Sequence, residues 1–451
     1  MAPQANASRV FHRHLRGSFP EAAGGDGAYL IDAQGNRYLD ASCGAAVSCL
    51  GHSDRRIIQA IKDQLDKLAF AHTSFFTNGP AEELAEVLSE KAPGGQWRVY
   101  FLSGGSEANE TALKLARQIQ VERGEASRDH FIAREQSYHG NTLGALAVGG
   151  NPNRKKIYLP ILNPNVRHIM PCHAYRHQRD GESAEAFGLR AAGALETEIA
   201  DLGADRTIAF VAETVVGSTL GAAPPAPGYF KEIRRICDTH GALMILDEVM
   251  SGMGRTGTLF ACEQDGVVPD MIALAKGLGA GYQPIGALMV REELAAEIER
   301  GSGAFQHGHT YIGHATACAG ALAVQRVFEE DGLMARVVDM GSKLEAALKD
   351  RFADHPHIGD IRGRGLFRGV ELVSDRDTRQ PFDPGLRIAA GLKKIALKNG
   401  LVCYPDGGGA DGSQGDHVLL APPFIITEAQ IGELVGKLAQ SIDEAISQAS
   451  V

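Results

Sequence analysis

Apolar residues along this chain come in two kinds of run: short unbroken ones, and longer ones in which they return at helical spacing. The unbroken runs at Trp97–Leu102, Asp129–Ala133, Thr207–Ala212, Ala242–Leu246, Asp270–Ala275 and Ile285–Val290 predict buried strands. Helical spacing runs over Asp54–Leu68, where Ile57, Ile58, Ile61, Leu65 and Leu68 share a face. The same spacing predicts helices over Pro80–Lys91, Glu107–Glu122, Ala186–Ile199 and His314–Glu329. Further on it covers Leu333–Phe352, Pro384–Asn399 and Thr427–Ala445, the last N-capped by Thr427. Alternation of the two kinds is the pattern of an α/β fold with a mostly parallel sheet. Around it, Tyr29–Ile31 and Arg37–Leu39 read as a hairpin across the Asp32–Asn36 turn, and Ile358–Arg364, Leu366–Leu372 and Val418–Leu420 as strands. Residues 1–26 read as an arm, disordered or packed on a partner subunit, and Pro152–Glu185 as an irregular surface excursion.

Strand ends matter in such a fold, because ligands gather at the carboxyl ends of the strands. The run Ala242–Leu246 ends on Asp247-Glu248, and the run Asp270–Ala275 ends on Lys276, so both ends face one crevice. A lysine there either reaches solvent along its stem or is a partly desolvated amine able to attack a carbonyl carbon. A carboxylate one strand away suits a protonated pyridine nitrogen and favours the second reading. Trp97–Leu102 opens on Ser103-Gly104-Gly105-Ser106 before a helix, a layout that leaves backbone N–H groups free for an anion. Ser106 is equally placed to N-cap that helix, and no Gly-Lys-Ser/Thr follows as a Walker loop requires. Tyr138 after the next strand reads on its residues either as structural or as an aromatic able to stack on a flat ring, with Gly140 allowing close backbone passage.

Composition narrows the class. With 451 residues, 44% of them hydrophobic and 22% charged, the chain sustains a large core and predicts two unequal domains. A net charge of −10 disfavours nucleic acid, and the short basic runs Arg154-Lys155-Lys156 and Arg234-Arg235 read as solvated faces. Seven scattered cysteines without a CxxC pair suggest reduced, buried thiols in a cytoplasm. No apolar run of membrane-spanning length and no signal-peptide core occurs, so no membrane partner is expected. His168, His173 and His177 match no metal-ligand spacing, and no metal is expected. His72-Thr73-Ser74-Phe75-Phe76 reads on its residues as packing, with a pocket wall as the alternative.

The segments SGGSEANE (103–110), YHG (138–140), AETVVG (212–217), DEVMSGMGRTG (247–257), ALAKGLGAGYQPIGA (273–287) and HGHTYIGHATACAGALA (307–323) together resemble the class III aminotransferases, pyridoxal-phosphate enzymes of fold type I. The resemblance spans about Gly27 to Pro423. It implies a large domain with a mostly parallel mixed sheet flanked by helices, plus a smaller α+β domain from both chain ends. The corresponding division is an arm and part of the small domain at 1–60, the cofactor domain at 61–315, and the rest of the small domain at 316–451. By the same resemblance pyridoxal 5′-phosphate is held by Lys276, with Asp247 on its ring nitrogen and Tyr138 and Val249 on the two faces of the ring. Gly105 and Ser106 take the phosphate, together with Thr310 from the neighbouring subunit of a homodimer. His139 and Glu213 complete the set, Glu213 near the ring hydroxyl. The implied substrates are an amine or ω-amino acid and a keto acid of the pyruvate or 2-oxoglutarate kind.

Some positions depart from the family pattern. Gly104 stands where many members have serine, and Met250 where they often have glutamine. Ser218 replaces a second acid, which points away from an ornithine-like substrate, and Arg255 reads as a structural pin of its turn. Many relatives bind a substrate carboxylate with an arginine near the Gly-rich turn at 406–417, yet no arginine follows Arg387. A phospho-lyase or aminomutase on the same fold is the alternative activity, and a non-enzymatic cofactor-binding module the remaining one.

Overall fold

A computed structural model of the chain describes residues 8–15, 17–203 and 205–449. The large sheet has seven strands in the order Trp97–Leu102, Gly286–Arg291, Met271–Leu274, Leu243–Asp247, Thr207–Glu213, His130–Arg134 and Val166–Ile169. Gly286–Arg291 runs antiparallel to both neighbours, and the remaining pairs are parallel. All residues of Thr207–Glu213, Leu243–Asp247 and Met271–Leu274 are buried, because helices cover both faces of the sheet.

Strand alternation assigns each side chain to one of two cores. Leu243 and Ile245 pack with Ala108, Ala112 and Ala116 of the helix Gly105–Glu122. Met244 and Leu246 pack with the opposite layer, which includes Ala184–Leu202, Tyr229–His240 and Ala315–Glu330. Continuing that alternation, Asp247 points toward the helix Gly105–Glu122 and Glu248 away from it.

Two smaller sheets join the chain ends. Arg37–Asp40 pairs in parallel with Leu401–Val402 beyond the N-terminal hairpin. Ile358–Arg364, Phe367–Leu372, Asp416–Leu420 and Tyr404–Gly407 form an antiparallel four-stranded sheet. The fold is thus the α/β arrangement of a large mixed sheet with a smaller α+β part drawn from both ends.

Several sequence expectations need correction. Ala22–Asp26, read within the arm, is a strand paired with Tyr29–Asp32; residues 1–7 and Arg16 of that arm lie outside the described residues. The excursion Pro152–Glu185 contains the sheet's edge strand Val166–Ile169, too short and too polar at Arg167 and His168 to be read as one. The helix expected over Pro384–Asn399 breaks at Arg387, whose φ of 53° no helix tolerates, leaving Ile388–Lys398. Ser106 does not cap its helix, which begins at Gly105 with Gly104 as N-cap. Thr427 does cap the last helix: its Oγ1 accepts from Gln430 N–H at 3.3 Å while Gln430 Oε1 accepts from Thr427 N–H at 2.9 Å.

Candidate active site

Three neighbouring strands deliver the central residues at one level. In register, Glu213 lies opposite Asp247, and Asp247 opposite Ala273, so Lys276 leaves the sheet just beyond its end. Lys276 adopts φ 47°, a left-handed conformation that costs a non-glycine residue about 1 kcal/mol. Its amine borders a cavity of about 130 Å³ lined also by Gly105, Ser106, Tyr138, His139, Asp247 and Val249. Burial pushes the Lys276 amine down to about 8, against the opposing pull of Asp247 and Glu213. A substantial fraction is therefore neutral, and so nucleophilic, near physiological pH.

Asp247 is clamped from two sides. Its Oδ2 faces His139 Nδ1 at 2.8 Å and accepts from Asn109 Nδ2 at 2.8 Å, while Oδ1 accepts from the Val249 N–H at 3.0 Å. Asn109 Nδ2 also reaches the His139 carbonyl at 2.8 Å, tying the helix Gly105–Glu122 to the Tyr138 loop. Asn109 sits one turn into the helix, inside the SGGSEANE segment, yet nothing in that segment marked it as Asp247's partner. Only the helix's placement over the odd-numbered face of the Asp247 strand brings the two together.

Glu213 is buried and spends both oxygens on backbone: Oε1 accepts from Tyr138 N–H at 3.0 Å and Oε2 from Gly217 N–H at 2.7 Å. Burial raises its pKa, with Asp247 adding to the rise and His139 opposing it. Its carboxylate fixes the Tyr138 loop and the turn after its own strand. Tyr138 lines the cavity, and its hydroxyl accepts from Asn141 Nδ2 at 3.1 Å.

Glycines open the anion end. A Cβ on Gly105 would sit 2.7 Å from a Val249 methyl, and one on Gly140, at φ 134°, would sit 2.6 Å from Ser106 Oγ. The helix Gly105–Glu122 directs its first N–H groups, which have no intrahelical acceptor, toward this end. Ser106 Oγ accepts from the Asn141 N–H at 3.1 Å. Thr310 is exposed and is not among the residues lining the cavity of its own subunit.

Other expected features resolve as follows. Arg255 is buried, donates to the carbonyls of Leu366 at 3.1 Å and Pro422 at 2.6 Å, and stacks on Phe424, pinning the turn to the smaller sheet's end. The basic runs are solvated faces only in part: Lys156 and Arg235 are exposed, whereas Arg154 lies over the Tyr138 ring, Lys155 donates to the carbonyls of Ala147 and Gly149, and Arg234 pairs with Asp238 and Asp270. Phe75 and Phe76 are not packed either, being 79% and 68% exposed. All seven cysteines are buried and free. Among the described residues, no cluster is placed to hold a metal ion, and no helix is long and apolar enough to cross a membrane.

An amine, a clamped carboxylate, an aromatic wall and a helix N-terminus around one cavity make a donor set that fits pyridoxal phosphate. The profile of the family described as Aminotransferase class-III matches residues 18–442. This chain belongs to the class III aminotransferases. An uncharacterized aminotransferase of Schizosaccharomyces pombe is 45% identical over 428 residues, covering 95% of this chain and 93% of the relative. The adenosylmethionine-8-amino-7-oxononanoate aminotransferase of Nitratidesulfovibrio vulgaris is 39% identical, covering 95% and 79%. The crystal structure of the omega transaminase from Pseudomonas jessenii in complex with PMP superposes with a TM-score of 0.89 at 33% identity, covering 96% and 94%. The protein is a pyridoxal-phosphate-dependent enzyme that transfers an amino group between an amine or ω-amino acid and a keto acid.

Proposed function

We propose that Lys276 and Asp247 carry the chemistry of this transamination, with Gly105, Ser106, Tyr138, His139, Glu213 and Val249 holding the cofactor and Thr310 joining from a second subunit. The observation that carries this reading is the desolvated Lys276 amine one strand from the doubly clamped Asp247 carboxylate. Bound pyridoxal phosphate supplies an aldehyde carbon for amine exchange and a ring that withdraws negative charge from the substrate carbon. Lys276 Nζ, neutral in substantial fraction, takes a proton from the substrate carbon and returns it to the other reacting carbon. Asp247 supplies the counter-charge for a protonated ring nitrogen, and His139 and Asn109 keep its oxygens in place. The helix N-terminus at Gly105 and Ser106 binds the phosphate. Tyr138 and Val249 bound the ring's two faces, and Glu213 holds the Tyr138 loop.

A homodimer completes this reading. Leu143, Ile157, Leu159 and Ile161 are 53 to 77% exposed, and Leu143 and Ile161 line an open, mostly apolar depression of about 730 Å³ beside the helix Gly105–Glu122. Phe75, Phe76 and Tyr311 are likewise exposed. A second copy covering this surface would bring its Thr310 loop to the phosphate end. The all-reduced cysteines favour a cytoplasmic setting. In the division 1–60, 61–315 and 316–451, the joining of the first and last parts is supported by the pairing of Arg37–Asp40 with Leu401–Val402, while the boundary at 60 falls inside the helix Arg55–Lys67.

The test is borohydride reduction of the holoenzyme followed by peptide mapping, with amine panels (taurine, β-alanine, putrescine, γ-aminobutyrate, an arylalkylamine) run with and without pyruvate or 2-oxoglutarate. The reading expects the label on Lys276 and amino transfer only with an acceptor. A label on another lysine overturns it, and ammonia release without acceptor assigns the site to elimination.

A further inference from the structure

A keto acid brings a carboxylate into this site, and a carboxylate leaving water needs a cation with donors in the right plane. The C-terminal turn offers none, since no arginine follows Arg387. The structure assigns this task to Arg154: we propose that its guanidinium binds the carboxylate of the amino-acid and keto-acid substrates, with Asp406 as its resting counter-ion. The proposal rests on the assignment of Lys276 and Asp247 given above.

Arg154 is built to reach inward. It lies on the single turn Pro152–Lys155, where Asn151 Oδ1 accepts from its N–H at 3.2 Å. Lys155 Nζ anchors that turn to the carbonyls of Ala147 at 2.9 Å and Gly149 at 2.8 Å, and Asn153 Nδ2 to the Gly412 carbonyl at 2.8 Å. The guanidinium carbon then stands 4.4 Å from the centre of the Tyr138 ring; Tyr138 lines the Lys276 cavity, and Arg154 itself borders the neighbouring open depression together with Asp406. Its charge is felt at Lys276, where it depresses the amine's pKa.

The guanidinium also keeps capacity in hand. Nη2 donates to Asp406 Oδ2 at 3.1 Å and lies 3.4 Å from Ser218 Oγ, while Nη1 and Nε make no hydrogen bond with the described residues. The side chains of Arg154 and Asp406 remain 27% and 33% exposed, and a pair so open to water is weakly held. Asp406 belongs to the short strand Tyr404–Gly407, which leads into the glycine-rich turn. An entering carboxylate finds Nη1 and Nε uncommitted and competes with Asp406 for Nη2. When the substrate is an amine without a carboxylate, Asp406 stays and the pocket holds no unpaired guanidinium, so one site accepts both classes. The other titratable groups facing this region are Arg13 and Tyr404 near Tyr138, and Glu213 and Asp247 near Lys276.

The experiment compares wild-type holoenzyme with Arg154→Gln, Asp406→Asn and Arg13→Gln, measuring KM for pyruvate and single-turnover half-reactions with β-alanine and an arylalkylamine. Arg154→Gln is expected to raise KM for pyruvate at least about 30-fold, and to lower the β-alanine to arylalkylamine preference by the same order. Asp406→Asn, freeing the guanidinium, is expected to lower KM for pyruvate about threefold. Unchanged KM for pyruvate in Arg154→Gln overturns the proposal, as does a rise produced only by Arg13→Gln. Equal loss with the donor that carries a carboxylate and the donor that lacks one also overturns it, assigning Arg154 to support of Tyr138. Borohydride mapping on each variant separates these outcomes from failure of the Lys276 assignment, because the label on Lys276 does not depend on substrate recognition.

Discussion

At the floor of the cavity Asp247 is 4% exposed and receives all its partners from within its own subunit: the His139 ring, the Asn109 amide and the Val249 N–H. At the rim beside the Tyr138 ring, Arg154 and Asp406 hold each other with about a quarter to a third of their side chains in water. The floor consists of strand ends and one helix start fixed by two hydrophobic cores, so its geometry exists before any substrate arrives. The rim consists of a one-turn helix, a short strand and loops, which can exchange partners at little cost. A fixed floor suits chemistry common to many substrates. An adjustable rim suits selection among them.

The strongest way to break this contrast is at the floor. Lys276→Ala is expected to lower turnover at least about 10³-fold and to remove the borohydride label, read by steady-state assay and peptide mapping. Asp247→Asn keeps the shape but removes the counter-charge, and kcat is expected to fall by about 10²- to 10³-fold with the cofactor still bound. If Asp247→Asn proves no worse than Arg154→Gln against an arylalkylamine, the division into floor and rim fails.

Acid strength sharpens it next. Only the neutral Lys276 amine attacks an aldehyde, so the rate of cofactor loading into apoprotein should rise about tenfold per pH unit and level off near pH 8. The linked stability effect has a definite sign. A folded-state value near 8 lies below the ordinary 10.5, so the unfolded chain binds more protons between them, and the apoprotein gains stability as pH rises through that window. Urea midpoints across pH 8 to 10 check this.

On the exposed apolar surface, Ile161→Asp is expected to convert the proposed homodimer to monomer in light scattering and to cost about tenfold in activity. A dimer that survives this substitution places the interface elsewhere. The smallest effect is expected for Asn109→Ala, about fivefold in kcat, since His139 still holds Asp247 and only one neutral donor is lost.

Much of the floor was legible in the chain because strand alternation is local. The apolar runs ending on Asp247 and Lys276 located two strand ends, and the Gly105-Ser106 turn before a helical pattern located the anion end. Local signals failed where a residue's neighbours come from far along the chain. Arg154-Lys155-Lys156 has the composition of a solvated face, yet Asp406, more than two hundred positions away, and the Tyr138 ring give Arg154 an inward role. Phe75-Phe76 has the composition of a core and is bare within one subunit. Val166–Ile169 carries too little apolar length to announce itself, and becomes a strand by pairing with His130–Arg134.

From its order of residues alone, then, this protein owes its alternation of strands and helices, the placing of Asp247 and Lys276 at neighbouring strand ends, and its family. The folded arrangement alone decided that Asn109 and His139 clamp Asp247, that Glu213 serves the backbone of Tyr138 and Gly217, and that Arg154 meets Asp406 beside the cavity. The reason is the range of the forces involved. Periodicity and turn chemistry act over a few residues and are written in sequence, whereas which buried donor meets which acceptor depends on how whole layers are packed together.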